Sequence, residues 1–232
     1  MKKLLLKICR EAGRLGIDRK IFLEKSVYNA YTWIEYIDDD KIIVGYSDKL
    51  YSIEEKYYYL LARHEICHVL DILDKLYDID IAAPDIRGIE LIAEIGYRMY
   101  TDYLASKRYI DIYGMRSFKK YLRLLSRITP SNSSLEYLIY IVPAVNGFKK
   151  YRDAKKYFPN LKLKQWILIE NIKNVYENWR KKYDWKTISI KIIFLTLVLQ
   201  NLETERIVET IYLTSDILEE EVVKMFIYLL GL

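Results

Sequence analysis

The stretch RHEICHVLD, residues 63–71, decides how the rest of the chain is interpreted. It contains the pattern His-Glu-x-x-His inside a run whose apolar residues recur with helical spacing. Residues four apart lie one above the other on an α-helix, so His64 and His68 can present both imidazoles to one ion. Zinc suits such a pair, and Glu65, beside the first histidine, is placed to act on a water at the metal.

The composition argues against a chance match to this pattern. The chain has 232 residues and only two histidines, and both belong to the motif. Two histidines scattered at random would take this spacing, with a glutamate in second place, in about one chain in a thousand. A helix that merely carries two surface histidines is therefore the weaker interpretation.

Length and composition indicate a folded protein with a sizeable core, as one large domain or two small ones. Hydrophobic residues make up 52% of the chain and charged residues 30%. The two cysteines, Cys9 and Cys67, exclude a disulfide scaffold and favour a reducing, cytoplasmic setting. The most apolar run, residues 192–199, is too short to span a membrane, and the N-terminal apolar run is too short for a signal peptide. We therefore expect a cytoplasmic protein without membrane contact.

The pattern of the chain predicts a mainly α fold with a small β-hairpin or sheet. An amphipathic helix is expected at 3–15, and strands at 28–37 and 41–46 form a hairpin just before the motif. Ser52 and Glu55 have the spacing of a capping box, so the motif helix is expected to run from there to about residue 76. From residue 116 onward every segment has a helical pattern (116–127, 134–148, 161–181, 187–202 and 204–230). Charge and pattern shift near residues 111–116, which divides the chain into domains 1–112 and 113–232.

A catalytic zinc needs a third protein ligand and one open position. The chain has no third histidine and no suitable cysteine, so a carboxylate is expected. Glu90, 22 residues after His68 on a separate helix predicted at about 86–110, is the first choice. Glu94, one turn later, could accept a hydrogen bond from a ligand histidine, and the two glutamates could exchange roles. Asp71, on the histidine face of the motif helix, is either a similar partner or a plain surface acid.

Residues 1–110 resemble the gluzincin metallopeptidases, in which His-Glu-x-x-His is followed by a helix bearing Glu-x-x-Ala-Asp. The segment Glu90-Leu-Ile-Ala-Glu94 follows that pattern with glutamate in the last place. The order of helix, hairpin, motif helix and glutamate helix is most similar to the ImmA/IrrE type.

The resemblance implies a zincin-like N-terminal half that hydrolyses peptide bonds by a zinc-activated water, with Glu65 as general base. It also implies a donor to the oxyanion, for which Tyr97 is the candidate. Strand 41–46 could pair with an extended peptide substrate along its edge, or it could simply shield the motif helix.

A basic block supports an alternative from another class. Residues 107–191 carry 20 basic and 6 acidic side chains, a net charge of +14, and aromatic residues are interleaved with them. Such a surface suits nucleic acid, and the protein could be a nucleic-acid-binding or regulatory protein with a structural or inactive zinc site. A solvated helical face is the simpler interpretation. The predicted contacts are Lys119, Lys120, Lys149, Lys150, Arg180, Lys181 and Lys182.

Overall fold

The computed structural model describes residues 1–25, 31–77, 89–129 and 136–163, with isolated helical positions between 165 and 177. The elements in chain order are α1 (Lys2–Arg14), β1 (Lys20–Lys25), β2 (Thr32–Ile37), β3 (Lys41–Tyr46), α2 (Tyr58–Leu73), α3 (Ile89–Ile128), α4 (Glu136–Ile141), α5 (Ala144–Gly147) and α6 (Tyr151–Tyr157). The predicted mainly α fold with a small sheet is confirmed. The helices predicted at 187–202 and 204–230 lie outside the described residues.

The chain divides into two compact units, each built from two separate segments. Unit 1 comprises residues 1–82 and 101–129, and unit 2 comprises residues 83–100 and 130–232. The predicted boundary between 112 and 113 falls inside the second segment of unit 1. No helix in the described ranges has both the length and the apolarity needed to cross a bilayer.

The sheet has three strands in the order β1-β3-β2. Strand β1 runs parallel to β3, and β2 runs antiparallel to it. The predicted hairpin is present, and its turn is closed by the Asp38 carboxylate, which accepts hydrogen bonds from the amides of Asp40 and Lys41 at 2.9 and 2.8 Å. The prediction that strand 41–46 offers an edge to a peptide is wrong, because β3 is central and is paired on both sides. Strand β1 was not predicted.

The core of unit 1 forms around α2. Helix α1 buries Leu4, Ile8 and Ala12, which lie four residues apart on one stripe, and β3 buries Ile42 and Val44 on one face. Helix α2 is itself buried over most of its circumference, and its buried residues include polar as well as apolar side chains. The motif helix therefore carries its charged groups inside the protein rather than on an exposed face.

The start of α2 differs from the predicted capping box. The helix begins at Tyr58, after two short 3₁₀ turns at Asp48–Ser52 and Glu55–Tyr57. The Ser52 hydroxyl donates to the carbonyl of Lys49 at 2.7 Å and so closes the first of these turns. The prediction that Ser52 caps the motif helix is therefore wrong, because Ser52 ends this turn and α2 begins six residues later.

Helix α3 is divided at Gly114, where φ is +77° and ψ is 158°. Only glycine adopts this conformation readily, since it has no Cβ. In a straight helix Tyr109 and Tyr121 would be about 18 Å apart along the axis, yet their rings stack with centroids 5.5 Å apart. The chain therefore turns back at Gly114, and the predicted break between helices near residues 111–116 is confirmed. The helix predicted at 134–148 is also divided, with Pro143 preceding α5.

Candidate metal centre

The two histidines of the motif lie side by side on α2. Their Nε2 atoms are 3.1 Å apart, and the two rings meet edge to face. His64 is buried, and the His68 side chain keeps 15% of its surface exposed. The i,i+4 spacing thus brings two nitrogen ligands to one point near the protein surface.

Asp102, from the first segment of α3, completes a triangle with these nitrogens. Its Oδ1 lies 2.9 Å from Nε2 of His64 and 3.8 Å from Nε2 of His68. Three ligands of a tetrahedral zinc, each about 2.0–2.1 Å from the ion, are about 3.3 Å from one another. Among the described residues this is the only group of three histidine, cysteine or acidic side chains spaced to hold a metal. We call His64, His68 and Asp102 the histidine–aspartate cluster.

The cluster is strongly coupled in its electrostatics. Burial alone would raise the pKa of Asp102, but the hydrogen bond from His64 and the nearby imidazole of His68 outweigh it and hold that pKa well below its usual range. Burial likewise opposes protonation of His68, yet the neighbouring Asp102 carboxylate raises the pKa of this imidazole. The carboxylate therefore favours a proton on His68, and a divalent cation at the same point would displace it.

Away from the cluster, the two imidazoles have different neighbours: His68 contacts a hydroxyl group, and His64 contacts an aromatic ring. The Tyr77 hydroxyl lies 2.6 Å from Nδ1 of His68 and 3.4 Å from the carbonyl oxygen of the same residue. It can accept from Nδ1–H while donating to the carbonyl, which leaves the Nε2 lone pair directed at the cluster. The ring of Tyr121 stacks on His64, with centroids 4.7 Å apart. Nδ1 of His64 is buried and has no hydrogen-bond partner among the described residues.

Glu65 is buried beside the cluster, and its two carboxylate oxygens differ in their hydrogen bonds. Oε1 accepts a hydrogen bond of 2.7 Å from the Thr32 hydroxyl, whereas Oε2 is buried without a partner in the described part of the chain. Thr32 begins β2, where the ring of its neighbour Trp33 fills the space that a Cβ on Gly45 of β3 would occupy. The sheet thus presents a donor to one oxygen of Glu65 and leaves the other available.

Four other residues were predicted for the site, namely Glu90, Glu94, Tyr97 and Asp71. Glu90 and Glu94 belong to α3, but their side chains lie outside the described residues. Tyr97 is half-buried in the part of α3 that belongs to unit 2. Asp71 is fully buried and bonds with Arg108, so it is not a surface acid, and its charge helps to raise the pKa of His68.

The thiols do not compete with the cluster for a metal. Cys67 and Cys9 are both free, and Cys67 is buried. Burial raises the pKa of the Cys67 thiol, which opposes the thiolate form that a metal requires.

The predicted basic residues are partly described. Lys119 and Lys120 are exposed in unit 1, and Lys149 and Lys150 are exposed in unit 2. The predicted contacts at residues 180–182 lie outside the described residues.

Sequence reasoning missed Asp102, Thr32, Tyr77 and Tyr121. The signal for Asp102 was available in part, because it is one of the few acids in the helix expected at 86–110. Comparison of the chain with protein-family models, with curated proteins and with solved structures finds no match. The interpretation of the site therefore depends on the motif and on its geometry.

Proposed function

We propose that the chain is a zinc-dependent metallopeptidase in which His64, His68 and Asp102 hold the ion and Glu65 is the general base. The observation that supports this most directly is the triangle of two Nε2 atoms and one carboxylate oxygen next to a second, buried carboxylate. Two imidazoles and one carboxylate are a ligand set of catalytic zinc sites, and they leave the fourth position open.

The donor set fits zinc better than other common divalent ions. Magnesium and calcium prefer shells made of oxygen atoms, whereas two imidazole nitrogens favour zinc and its transition-metal neighbours. The hydroxyl of Tyr77, against Nδ1 of His68, matches the outer hydrogen bond that metal-binding imidazoles usually make. Zinc bound here would supply Lewis acidity, which polarises a carbonyl and lowers the pKa of water toward neutrality.

Glu65 performs the proton transfers in this proposal. Oε2, the oxygen without a described partner, takes a proton from the attacking water and later delivers it to the leaving amine. Oε1 stays bonded to Thr32, so the carboxylate keeps its orientation during both transfers. Peptide bonds are the proposed substrate because of the motif and its resemblance to gluzincins. Tyr97 stays a predicted donor to the oxyanion.

The third ligand decides between a catalytic and a structural zinc. Asp102 is proposed here because its oxygen lies within the triangle, and Glu90 stays an alternative from the sequence. If both carboxylates bound the ion together with the two imidazoles, the fourth position would be filled and the zinc would be a structural cross-link. The proposed catalytic role therefore requires that only one carboxylate binds the zinc ion.

The test uses the full-length protein loaded with zinc and a library of random peptides, with products identified by mass spectrometry. The wild type should bind one zinc ion and cleave peptides, and Glu65→Gln should keep the zinc while cleavage falls to background. Glu24→Gln, the same change at an exposed glutamate of β1, is the control and should cleave like the wild type. Wild-type cleavage in the Glu65→Gln variant would refute the proposed mechanism, and a protein that binds no zinc would refute the site.

A further inference from the structure

The second segment of α3, residues 115–128, has one strongly basic side. Its five basic side chains are all exposed, and at 100° per residue they fall within an arc of about 100°. The opposite side of the segment buries Phe118, Tyr121, Leu122 and Leu125 in the core of unit 1. We call the following residues the basic face: Arg116, Lys119, Lys120, Arg123 and Arg127.

The charge of this face is not balanced by acids in its own part of the sequence. No aspartate or glutamate occurs between Asp111 and Glu136. At one end of the face, Arg127 donates a hydrogen bond of 2.8 Å to the hydroxyl of Tyr57. The ammonium group of Lys56 lies over the same tyrosine ring, but it is paired with Glu54 and adds no net charge at that end. The face is thus a continuous cationic strip with an aromatic ring at its end.

The length and chemistry of the strip fit the backbone of a nucleic acid. From Arg116 to Arg127 the helix rises about 16 Å, a length in which each strand of a duplex places about five phosphates at about 3.4 Å of axial rise. Arginine guanidinium groups bind phosphate oxygens through two parallel hydrogen bonds, and lysines add point charges.

We propose that the basic face binds the phosphate backbone of nucleic acid without preference for sequence. An anionic membrane is the competing partner for a basic helix. However, an amphipathic helix that lies on a membrane buries its apolar side in the lipid, and here that side is already used in the protein core. The proposal places the interaction on one helix of unit 1, apart from the predicted lysines at 149 and 150. It does not depend on zinc.

The experiment measures binding of the full-length protein to labelled oligonucleotides of two unrelated sequences, as single strands and as duplexes, over a range of salt concentrations. The variant Arg116→Gln/Lys119→Gln/Lys120→Gln/Arg123→Gln should bind at least tenfold more weakly at low salt. Its slope of log affinity against log salt should fall by about three, because each lost phosphate contact removes about 0.7–0.9. Circular dichroism checks that the variant is folded, and the milder Lys119→Gln/Lys120→Gln variant should show about half of the change in slope.

The matched control removes four exposed charges elsewhere in unit 1, in the variant Lys2→Gln/Arg10→Gln/Lys20→Gln/Lys75→Gln. It should keep the wild-type salt slope and an affinity within about twofold of the wild type, since it leaves all phosphate contacts in place. Equal weakening by both sets would show that net charge alone is responsible and would overturn the proposal. It would also be overturned if the wild type bound no oligonucleotide at low salt, or if it bound vesicles containing phosphatidylserine but no oligonucleotide.

Discussion

The histidine–aspartate cluster and the basic face both concentrate charged groups, but in opposite settings. In the cluster, groups of unlike charge are packed beside the buried Glu65, and two buried polar atoms next to them lack a described partner. On the basic face, five groups of the same charge are exposed to solvent. Burying a charge or a polar group without a partner is costly, whereas exposed like charges cost little in water. The cluster is therefore suited to a tightly held small ligand, and the basic face is suited to a partner whose binding depends on salt.

The largest expected effect is the loss of zinc affinity in Asp102→Asn. Zinc sites bind with about 10–16 kcal/mol shared among four ligands, so losing one ligand weakens binding by roughly 3 kcal/mol, or more than about 100-fold. Competition with a chromogenic chelator measures the dissociation constant. Asp111→Asn, the same change at an exposed acid of the same helix, should leave it unchanged. If Glu90→Gln weakens zinc binding as much and Asp102→Asn does not, Glu90 is the ligand instead.

A smaller effect is expected from removing the hydroxyl that holds Glu65. In Thr32→Val the hydrogen bond to Oε1 is lost while the shape of the side chain is kept. A hydrogen bond to a charged group contributes about 2 kcal/mol, so kcat should fall about 30-fold. Zinc affinity should not change, because Thr32 does not touch the cluster. Thr32→Ser, which keeps the hydroxyl, should recover most of the rate, and a rate as low as that of the valine variant would contradict this role.

The next effect concerns the outer nitrogen of His68. Tyr77→Phe removes the hydroxyl that lies against Nδ1. Without this partner, the proton of the neutral imidazole can move to Nε2, where it would block the lone pair that binds the metal. Loss of such an outer partner weakens metal binding by about tenfold or more. The same chelator competition measures it, with Tyr51→Phe, an exposed tyrosine, as the control. Unchanged zinc affinity in Tyr77→Phe would show that the tautomer of His68 is fixed by something else.

The smallest expected effect tests whether the two regions are independent. Tyr121 stacks on His64 from the helical segment that also bears the basic face. Neutralising the basic face should nevertheless leave zinc affinity unchanged, because its side chains point away from the buried side that holds Tyr121. A change of more than about threefold in the zinc dissociation constant would show that the two regions are coupled through this helix.

The local elements could be predicted from the sequence because their signals are local. The predicted α1 stripe consisted of Leu4, Leu5, Ile8, Cys9 and Ala12, of which Leu4, Ile8 and Ala12 are buried. The motif itself has helical spacing. Strand β1 was missed because its sequence shows no clear alternation of apolar and polar residues. Its strand conformation depends on pairing with β3, which the local sequence does not reveal. The capping box at Ser52 failed because two short 3₁₀ turns precede α2, which begins only at Tyr58.

The site was predictable only where its residues share one helix. The spacing of His64, Glu65 and His68 is fixed by α2, so their proximity follows from sequence alone. Thr32 and Asp102 come from other elements and reach the motif through the hairpin and through α3. Which carboxylate of a helix faces another helix depends on how the two pack, and spacing along the chain does not determine it. The sequence therefore predicted a carboxylate ligand and favoured Glu90, whereas Asp102 is the carboxylate that the described residues bring to the two imidazoles.

The most direct test is a crystal structure of the zinc-loaded protein. The account predicts one zinc ion bonded to Nε2 of His64, Nε2 of His68 and one carboxylate oxygen of Asp102, at about 2.0–2.2 Å, with solvent at the fourth position. It also predicts that Oε2 of Glu65 faces this solvent while Oε1 keeps its bond to Thr32. A zinc ion bound elsewhere would contradict the account, as would one whose fourth position is filled by Glu90.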